Sequence, residues 1–296
     1  MSDTLVSLRR KLGGAGDLKS VVRSMKALAA SSIGQYENSV LALADYDRTV
    51  ELGLAVCLRN REEAVEQAGR PGAGSTPVTA IVFGSDQGLV GQFNDLIADF
   101  VIKVLDPLPG EKKVWAVGER VRSRLADAGL TPIGLLAVPT SVNAITPLIG
   151  KVLVESDIHS GKGVNAQLYV FHNRPKTRAT YEPVSQRLLP LDATWALKLS
   201  HLRWPTQNLP EVIGGREQTL QALVREYLFV SLFKACAESL AAENGSRLSA
   251  MQRAEKNIDD MVEDLKQTFH RLRQSSIDEE LFDVVSGYEC LTAKKR

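Results

Sequence analysis

Several things are scarce in this chain, and each scarcity excludes something. There is no run of eighteen or more apolar residues, so no segment is expected to span a membrane. The N-terminus, MSDTLVSLRRK, lacks an apolar signal core and a cleavage site, which points away from secretion. The three cysteines, Cys57, Cys236 and Cys290, are odd in number and far apart. They offer no disulfide framework and no metal spacing, and fit reduced, cytosolic thiols. The four histidines, His159, His172, His201 and His270, make no i, i+4 pair. A formal net charge of +1 gives no bias towards nucleic acid, and Lys and Arg are spread without an interleaved aromatic platform. No proline lies between Pro210 and the C-terminus.

What the chain has instead is helical periodicity at both ends. From Leu248 the apolar positions are Met251, Ala254, Ile258, Met261, Leu265, Phe269 and Leu272, spaced by three or four residues. Residues so spaced share one face of a helix. Between them lie Arg253, Glu255, Lys256, Asp259, Asp260, Glu263, Asp264 and Lys266, a solvated face. Asn244-Gly245 is the one expected interruption, because Gly costs about 1 kcal/mol against Ala inside a helix. Helix from Ser246 to Val285 alone would be roughly 60 Å long. So narrow a stripe on so long a helix needs a partner helix.

The other end carries a matching pattern. Leu5, Leu8, Leu12, Ala15, Leu18, Val22, Met25, Ala29, Ile33, Tyr36, Val40, Leu43, Asp47, Val50, Leu54 and Cys57 hold a seven-residue repeat, with Asp47 its one charged intruder. Sustained heptads favour a left-handed coiled coil. An intrachain antiparallel pair, a homodimeric coiled coil and two core helices of an ordinary domain all satisfy the pattern. Gly13, Gly14 and Gly16 soften the first helix without breaking its register. Residues 1–31 also hold Arg9, Arg10, Lys11, Lys19, Arg23 and Lys26 against Asp3 and Asp17. The plain reading is a solvated helix face; the sharper one is a docking face for an acidic partner.

Between the two helices the pattern changes. Residues 69–77 are a Gly/Pro linker by composition. Val78 to Phe83 reads as a buried strand, Gly84 to Gly91 as a loop, and Asn94 to Leu105 as a helix. Lys113 to Val117 and Ala166 to His172 read as strands, Glu119 to Ala128 and Ser141 to Ser156 as helices, and Tyr181 to Leu189 as an edge strand. Strands alternating with helices imply βαβ units, a mainly parallel sheet and a three-layer α/β domain.

Such a domain raises an enzyme reading, yet no site stands out. Gly84, Gly88 and Gly91 match neither the dinucleotide fingerprint nor a P-loop. A strand-to-helix glycine loop can bind phosphate, but a tight turn explains these residues as well. No G-x-S-x-G is present. Asp259-Asp260, Glu279-Glu280 and Glu62-Glu63 sit on charged helix faces. No catalytic residue, cofactor site or metal site is expected.

Four stretches, however, resemble one family in order along the chain. Residues 21–31, VVRSMKALAAS, resemble the signature I-T-K-A-M-x-x-V-A-A-S-K of the γ subunit of F-type ATP synthases. Residues 84–94, GSDQGLVGQFN, are similar to that family's S-D-R-G-L-C-G-x-x-N loop. Glu182-Pro183-Val184 followed by Arg187-Leu188-Leu189-Pro190 resembles E-P-x-x-x-x-L-L-P. Arg273-Gln274-Ser275-Ser276-Ile277, with Glu280-Leu281 and Val284-Val285-Ser286-Gly287, resembles R-Q-x-x-I-T-x-E-L-x-E-I-V-x-G.

The resemblance implies α/β plus coiled coil. Long helices over residues 1–65 and 216–287 would pair antiparallel around a central Rossmann-like three-layer α/β domain at 78–192. It implies the central rotor shaft of an F-type ATP synthase, non-catalytic itself, coupling ion-driven rotation to ATP synthesis or hydrolysis in the α and β subunits. The implied partners are three α and three β subunits, the ε subunit and the c-subunit ring, with no nucleic acid. Membrane contact would come only through the complex, on the cytoplasmic face of a bacterial or archaeal plasma membrane. Carried over by position, Arg23, Met25 and Lys26 would face the acidic lever of β. Arg273 and Gln274 would touch a β loop, and Leu281, Phe282, Val284 and Val285 would form the shaft tip. The motifs depart from the family at Gln87, where Arg is usual, at Asp278, where Thr is usual, at Ser32 and at the Gly13–Gly16 run. These departures suggest a divergent branch, such as the alternate F-type ATPases. A homodimeric coiled-coil scaffold and a nucleotide- or phosphate-binding α/β enzyme are the competing readings.

Overall fold

The structure, a computed structural model, describes residues 4–58, 77–160, 167–176, 180–191, 199, 202, 204–208, 210–213 and 215–293. It resolves into two compact units: residues 29–247, and residues 1–28 together with 248–296. Helices α1 (Leu5–Ala42), α2 (Ala44–Leu58) and α6 (Arg216–Ala293) account for both ends of the chain. Both α1 and α6 cross the boundary between the units. Among the described residues no helix is long and apolar enough to cross a membrane.

Within residues 29–247 lies a five-stranded sheet. Its strands are β1 (Val78–Phe83), β2 (Lys112–Val117), β3 (Gly134–Leu136), β4 (Gln167–Pro175) and β5 (Tyr181–Leu189), in the order β3-β2-β1-β4-β5. The first four run parallel and β5 is antiparallel on the edge. Helices α3 (Phe93–Leu105), α4 (Glu119–Asp127) and α5 (Ile145–Ser160) complete it, α5 being led in by a 3₁₀ turn at Val142–Ala144. The chain order reverses at β1, whose neighbours are β2 on one side and β4 on the other. In open α/β sheets the crevice outside the carboxyl ends of the strands at such a point is where ligands bind.

β1 is buried at every position because both sheet faces are covered. Side chains alternate across a strand, so Val78, Ala80 and Val82 pack with Ile97, Val101 and Leu105 of α3 and Val121 and Leu125 of α4. Ile81 and Phe83 face the other way, into a core with Ile145, Ile149 and Val152 of α5, Tyr36 of α1 and Leu232 to Ala241 of α6. That is why β1 reads in sequence as an unbroken apolar run.

The expected strands and helices are present, with these differences. β3 was not expected; three residues are too few to carry a periodic signal. The first helix is not continuous to residue 58, since a turn at Leu43 separates α1 from α2. The restart places Asp45 and Asp47 in the first turn of α2, where a carboxylate opposes the positive end of the helix dipole. This accounts for the intruder in the heptads. The expected interruption at Asn244-Gly245 does not occur: α6 runs straight through. Residues 240–243 and Ser246 are buried around it, and packing outweighs one glycine's propensity. The Gly13–Gly16 run is likewise helical. The expected linker at 69–77 lies outside the described residues except for Pro77, as do residues 59–65 of the first expected segment.

The loop after β1 is held by its own polar groups. The Ser85 N–H donates to Asn94 Oδ1 (3.0 Å), and Asn94 Nδ2 donates to Ser85 Oγ (2.8 Å). Asp86 Oδ1 accepts from the Glu119 N–H (3.0 Å) and Oδ2 from the Val138 N–H (2.9 Å), tying the exits of β1, β2 and β3 together. Gly84 is required by space, since a Cβ there would stand 2.3 Å from that of Val121. The turn reading of this loop therefore has a physical basis in full.

Candidate functional site

The candidate surface lies in the unit formed by residues 5–28 of α1 and 248–293 of α6. In α1 every seventh residue, Leu8, Ala15, Val22, Ala29 and Tyr36, is buried, which is the seam the heptads predict. Ala15 and Val22 pack with Met251 and Ile258, and Met25, Ala254 and Val262 close around them. Leu18 and Met261, expected on the stripes, are instead exposed by about half. A straight helix drifts against a strict seven-residue repeat, and Val262 takes the place assigned to Met261.

Charged pairs flank this seam. Lys19 bonds Asp259. Arg23 donates through Nε to Glu255 Oε1 at 2.8 Å, and Lys26 bonds Oε2 of the same carboxylate. As the α1 number rises the α6 number falls, so the two helices run antiparallel, as expected. Hydrogen bonds from Lys26 and then Arg23 hold the Glu255 carboxyl down to about 2. The Arg23 guanidinium is in turn shifted up by Glu255.

The expected contact residues are thus distributed as follows. Arg23 is exposed beyond its ion pair, Lys26 is half-buried, and Met25 is half-buried against the seam. Two of the cations assigned to an acidic partner therefore already meet an internal acid. Sequence reading placed Glu255 and Asp259 on a solvated face and missed this role. The signal was available: acids at i, i+4 on one helix complement Lys19, Arg23 and Lys26 on the other, the flanking-charge pattern of a coiled coil.

The same register locates the end of α6. The step from Lys19 back to Leu5, counted forward on α6 from Asp259, reaches Arg273. Arg273 and Gln274 are exposed. Beyond them α6 continues to Ala293. Ile277, Leu281, Phe282, Val284, Val285 and Tyr288 are all exposed, Phe282 by 71%. No residue between 270 and 288 is buried. An apolar surface of this kind marks a contact with another molecule. Val6, Val21 and Leu28 add exposed apolar side chains on α1.

Among the described residues no group of three or more His, Cys, Asp or Glu could hold a metal ion. In the other unit Cys57 and Cys236 are buried free thiols, and burial drives both away from the thiolate. His172 is buried, with Nε2 2.8 Å from Glu238 Oε2. An ionised carboxylate can only accept, so Nε2 carries the proton. Burial pulls the His172 pKa down despite Glu238.

The chain matches the family model described as ATP synthase over residues 4–291. It is 26% identical over 298 residues to the ATP synthase gamma chain of Pelagibacter ubique, covering 97% of this chain and 99% of that one. It is 29% identical over 217 residues to the ATP synthase gamma chain of Lachnoclostridium phytofermentans, covering 70% of this chain and 72% of that one. Its fold is similar to a chain of the Euglena gracilis mitochondrial ATP synthase, with a TM-score of 0.63, 15% identity and coverage of 99% and 96%. A chain in the central stalk and c-ring of the Tetrahymena thermophila enzyme gives a TM-score of 0.56 at 21% identity, covering 79% of this chain and 99% of that one. With the paired terminal helices, the α/β domain and the match from one end to the other, the chain belongs to the γ-chain family of the F-type ATP synthases, the central-stalk subunits of that machine.

Proposed function

We propose that this chain turns as the rotor shaft inside a ring of three α and three β subunits and is driven at its foot by a c-subunit ring, with an ε subunit alongside. The observation that carries this is the far end of α6, a single helix whose Leu281, Phe282, Val284 and Val285 are bare. An apolar helix end that must rotate needs a sleeve that surrounds it without bonding it, and an α/β ring supplies one. Coupling is then a difference in contact energy between β conformations at each shaft angle. Arg273 and Gln274 are contacts with a β loop, and Arg23, Met25 and Lys26 face the acidic lever of β. The assembled enzyme is peripheral at the cytoplasmic face of the membrane, and the coupling ion, H⁺ or Na⁺, is chosen in the membrane ring, outside this chain. The departures at Gln87, Asp278, Ser32 and the Gly13–Gly16 run support the reading of a divergent branch, such as the alternate F-type ATPases.

The test is co-expression with the α and β subunits, capture on this chain and native mass spectrometry. A complex of three α, three β and one γ with ATPase activity is expected. Replacing Arg273 and Gln274 together should leave assembly intact and lower ATP synthesis; undiminished synthesis would remove their assignment. Recovery of a soluble homodimer without α or β would favour the scaffold reading.

A further inference from the structure

A cavity of about 210 Å³ opens in the α/β unit, on the side where β1 and β3 end. It has room for several water molecules at about 30 Å³ each. Its polar lining includes Ser32 and Tyr36 of α1, Asp86 and Gln87 after β1, Thr140 after β3, and Glu243, Asn244 and Arg247 of α6. This is the carboxyl side of the sheet, beside the loops that follow β1 and β3.

The groups around it do not balance. Asp86 and Glu243 bring two carboxylates against one guanidinium. Both oxygens of Asp86 are engaged by backbone N–H groups. Glu243 is 5% exposed; its Oε1 accepts from an Arg247 terminal nitrogen at 2.8 Å. Its Oε2, buried, has no hydrogen-bond partner, nor has Arg247 Nε. A buried carboxylate oxygen without a donor is costly, and a charged donor is its best partner. Burial above all, with Asp86 adding to it, pushes the Glu243 carboxyl up to about 7, and Arg247 offsets only part of this. Tyr36 and Cys236 also face Glu243, and both keep their protons at neutral pH because burial raises their pKa values. An anion would meet two acids here. A cationic N–H would meet the unpartnered Oε2 of Glu243 as a charge-assisted donor, with Gln87 and Thr140 as neutral acceptors. Gln87 also stands where the similar motif has Arg, so this loop brings no cation of its own.

We propose that the cavity binds a guanidinium or primary ammonium group, held by Glu243 and Gln87. The group could belong to a free small cation or to a lysine or arginine side chain of a partner subunit. The discriminating probe is methylguanidinium, with uncharged methylurea as its control. Titrated calorimetrically into the full chain at pH 8, methylguanidinium should bind one to one and saturate, and methylurea at least tenfold more weakly. Affinity should fall towards tenfold per pH unit below 7, as Glu243 must lose its proton. Gln87→Arg should weaken binding at least tenfold by supplying a resident cation. Glu243→Gln should do the same, with its fold checked by circular dichroism; if it fails to fold, Gln87→Arg still decides. Absence of saturable binding, equal binding of methylurea, or undiminished binding by Gln87→Arg would overturn the proposal. In the assembled enzyme, persistence of binding identifies a free cation, and exclusion of the probe identifies a partner side chain.

Discussion

Arg23 on α1 and Glu255 on α6 meet at 2.8 Å, 232 residues apart in sequence, and Lys26 adds a second cation to the same carboxylate. One acid therefore fixes the register of two helices from opposite ends of the chain. The seam beneath supplies apolar burial that would tolerate a slide by a heptad; the charges do not.

This pair sets an acid limit. Glu255 titrates at about 2 in the folded chain against an ordinary 4.5, so folding favours its ionised form. Its stabilisation is complete above 4.5 and is lost as pH falls towards 2. Glu255→Gln should lower the melting temperature at pH 6 slightly and flatten its decline below pH 4.5. An acid limb as steep as that of the parent would contradict this role.

The glycines divide into two groups with opposite consequences. Nothing stands within 4 Å of a Cβ built on Gly13, Gly14 or Gly16, all helical. Gly14→Ala and Gly16→Ala should each stabilise by about 0.5–1 kcal/mol. At Gly84 and Gly134 a Cβ would collide with Val121 and with the Trp115 ring, at 2.3 and 2.1 Å. Gly84→Ala should cost about 2 kcal/mol or more, read from chemical denaturation of the full chain.

His172 gives a second pH window, in the α/β unit. Its pKa lies below the ordinary 6.5, so the folded chain binds fewer protons there than the unfolded one. Its contribution is present above 6.5 and is lost as pH falls below it. Glu238 favours the proton, while Arg174 and Lys234 oppose it. His172→Gln should make stability less dependent on pH between 6.5 and 5, measured by thermal melts. An unchanged slope would show that folding does not shift the His172 pKa.

The bare end of α6 should govern the behaviour of the isolated chain. Phe282→Ser with Val284→Ser should reduce its self-association in sedimentation velocity, because both side chains are about 70% exposed. Helix content should be retained, since neither residue has a buried contact to lose.

Much of the fold was legible because it rests on periodicity. The unbroken apolar run of β1, the heptads of α1 and the three-four spacing of α6 each encode a burial pattern directly. What sequence reading missed was either short or non-local. β3 has three residues. The break at Leu43 follows no proline or glycine, and Asp47 announces the restart only once α2 is known to begin at Ala44. The proposed contact residues Arg273 and Gln274 came from motif resemblance, because an exposed helix face has no periodic signature of its own.

Sequence alone determined that the termini are long helices in need of partners and that a parallel α/β domain lies between them. Tertiary structure decided that the partner of α1 is α6, with Glu255 set against Arg23 and Lys26. It also decided that α6 passes Gly245 unbroken, and that Glu243 is buried beside an arginine it only half engages. The division has one cause. Spacing along a chain encodes which face is apolar, but which groups meet across hundreds of residues is set by register and packing, and so are the charges left without partners.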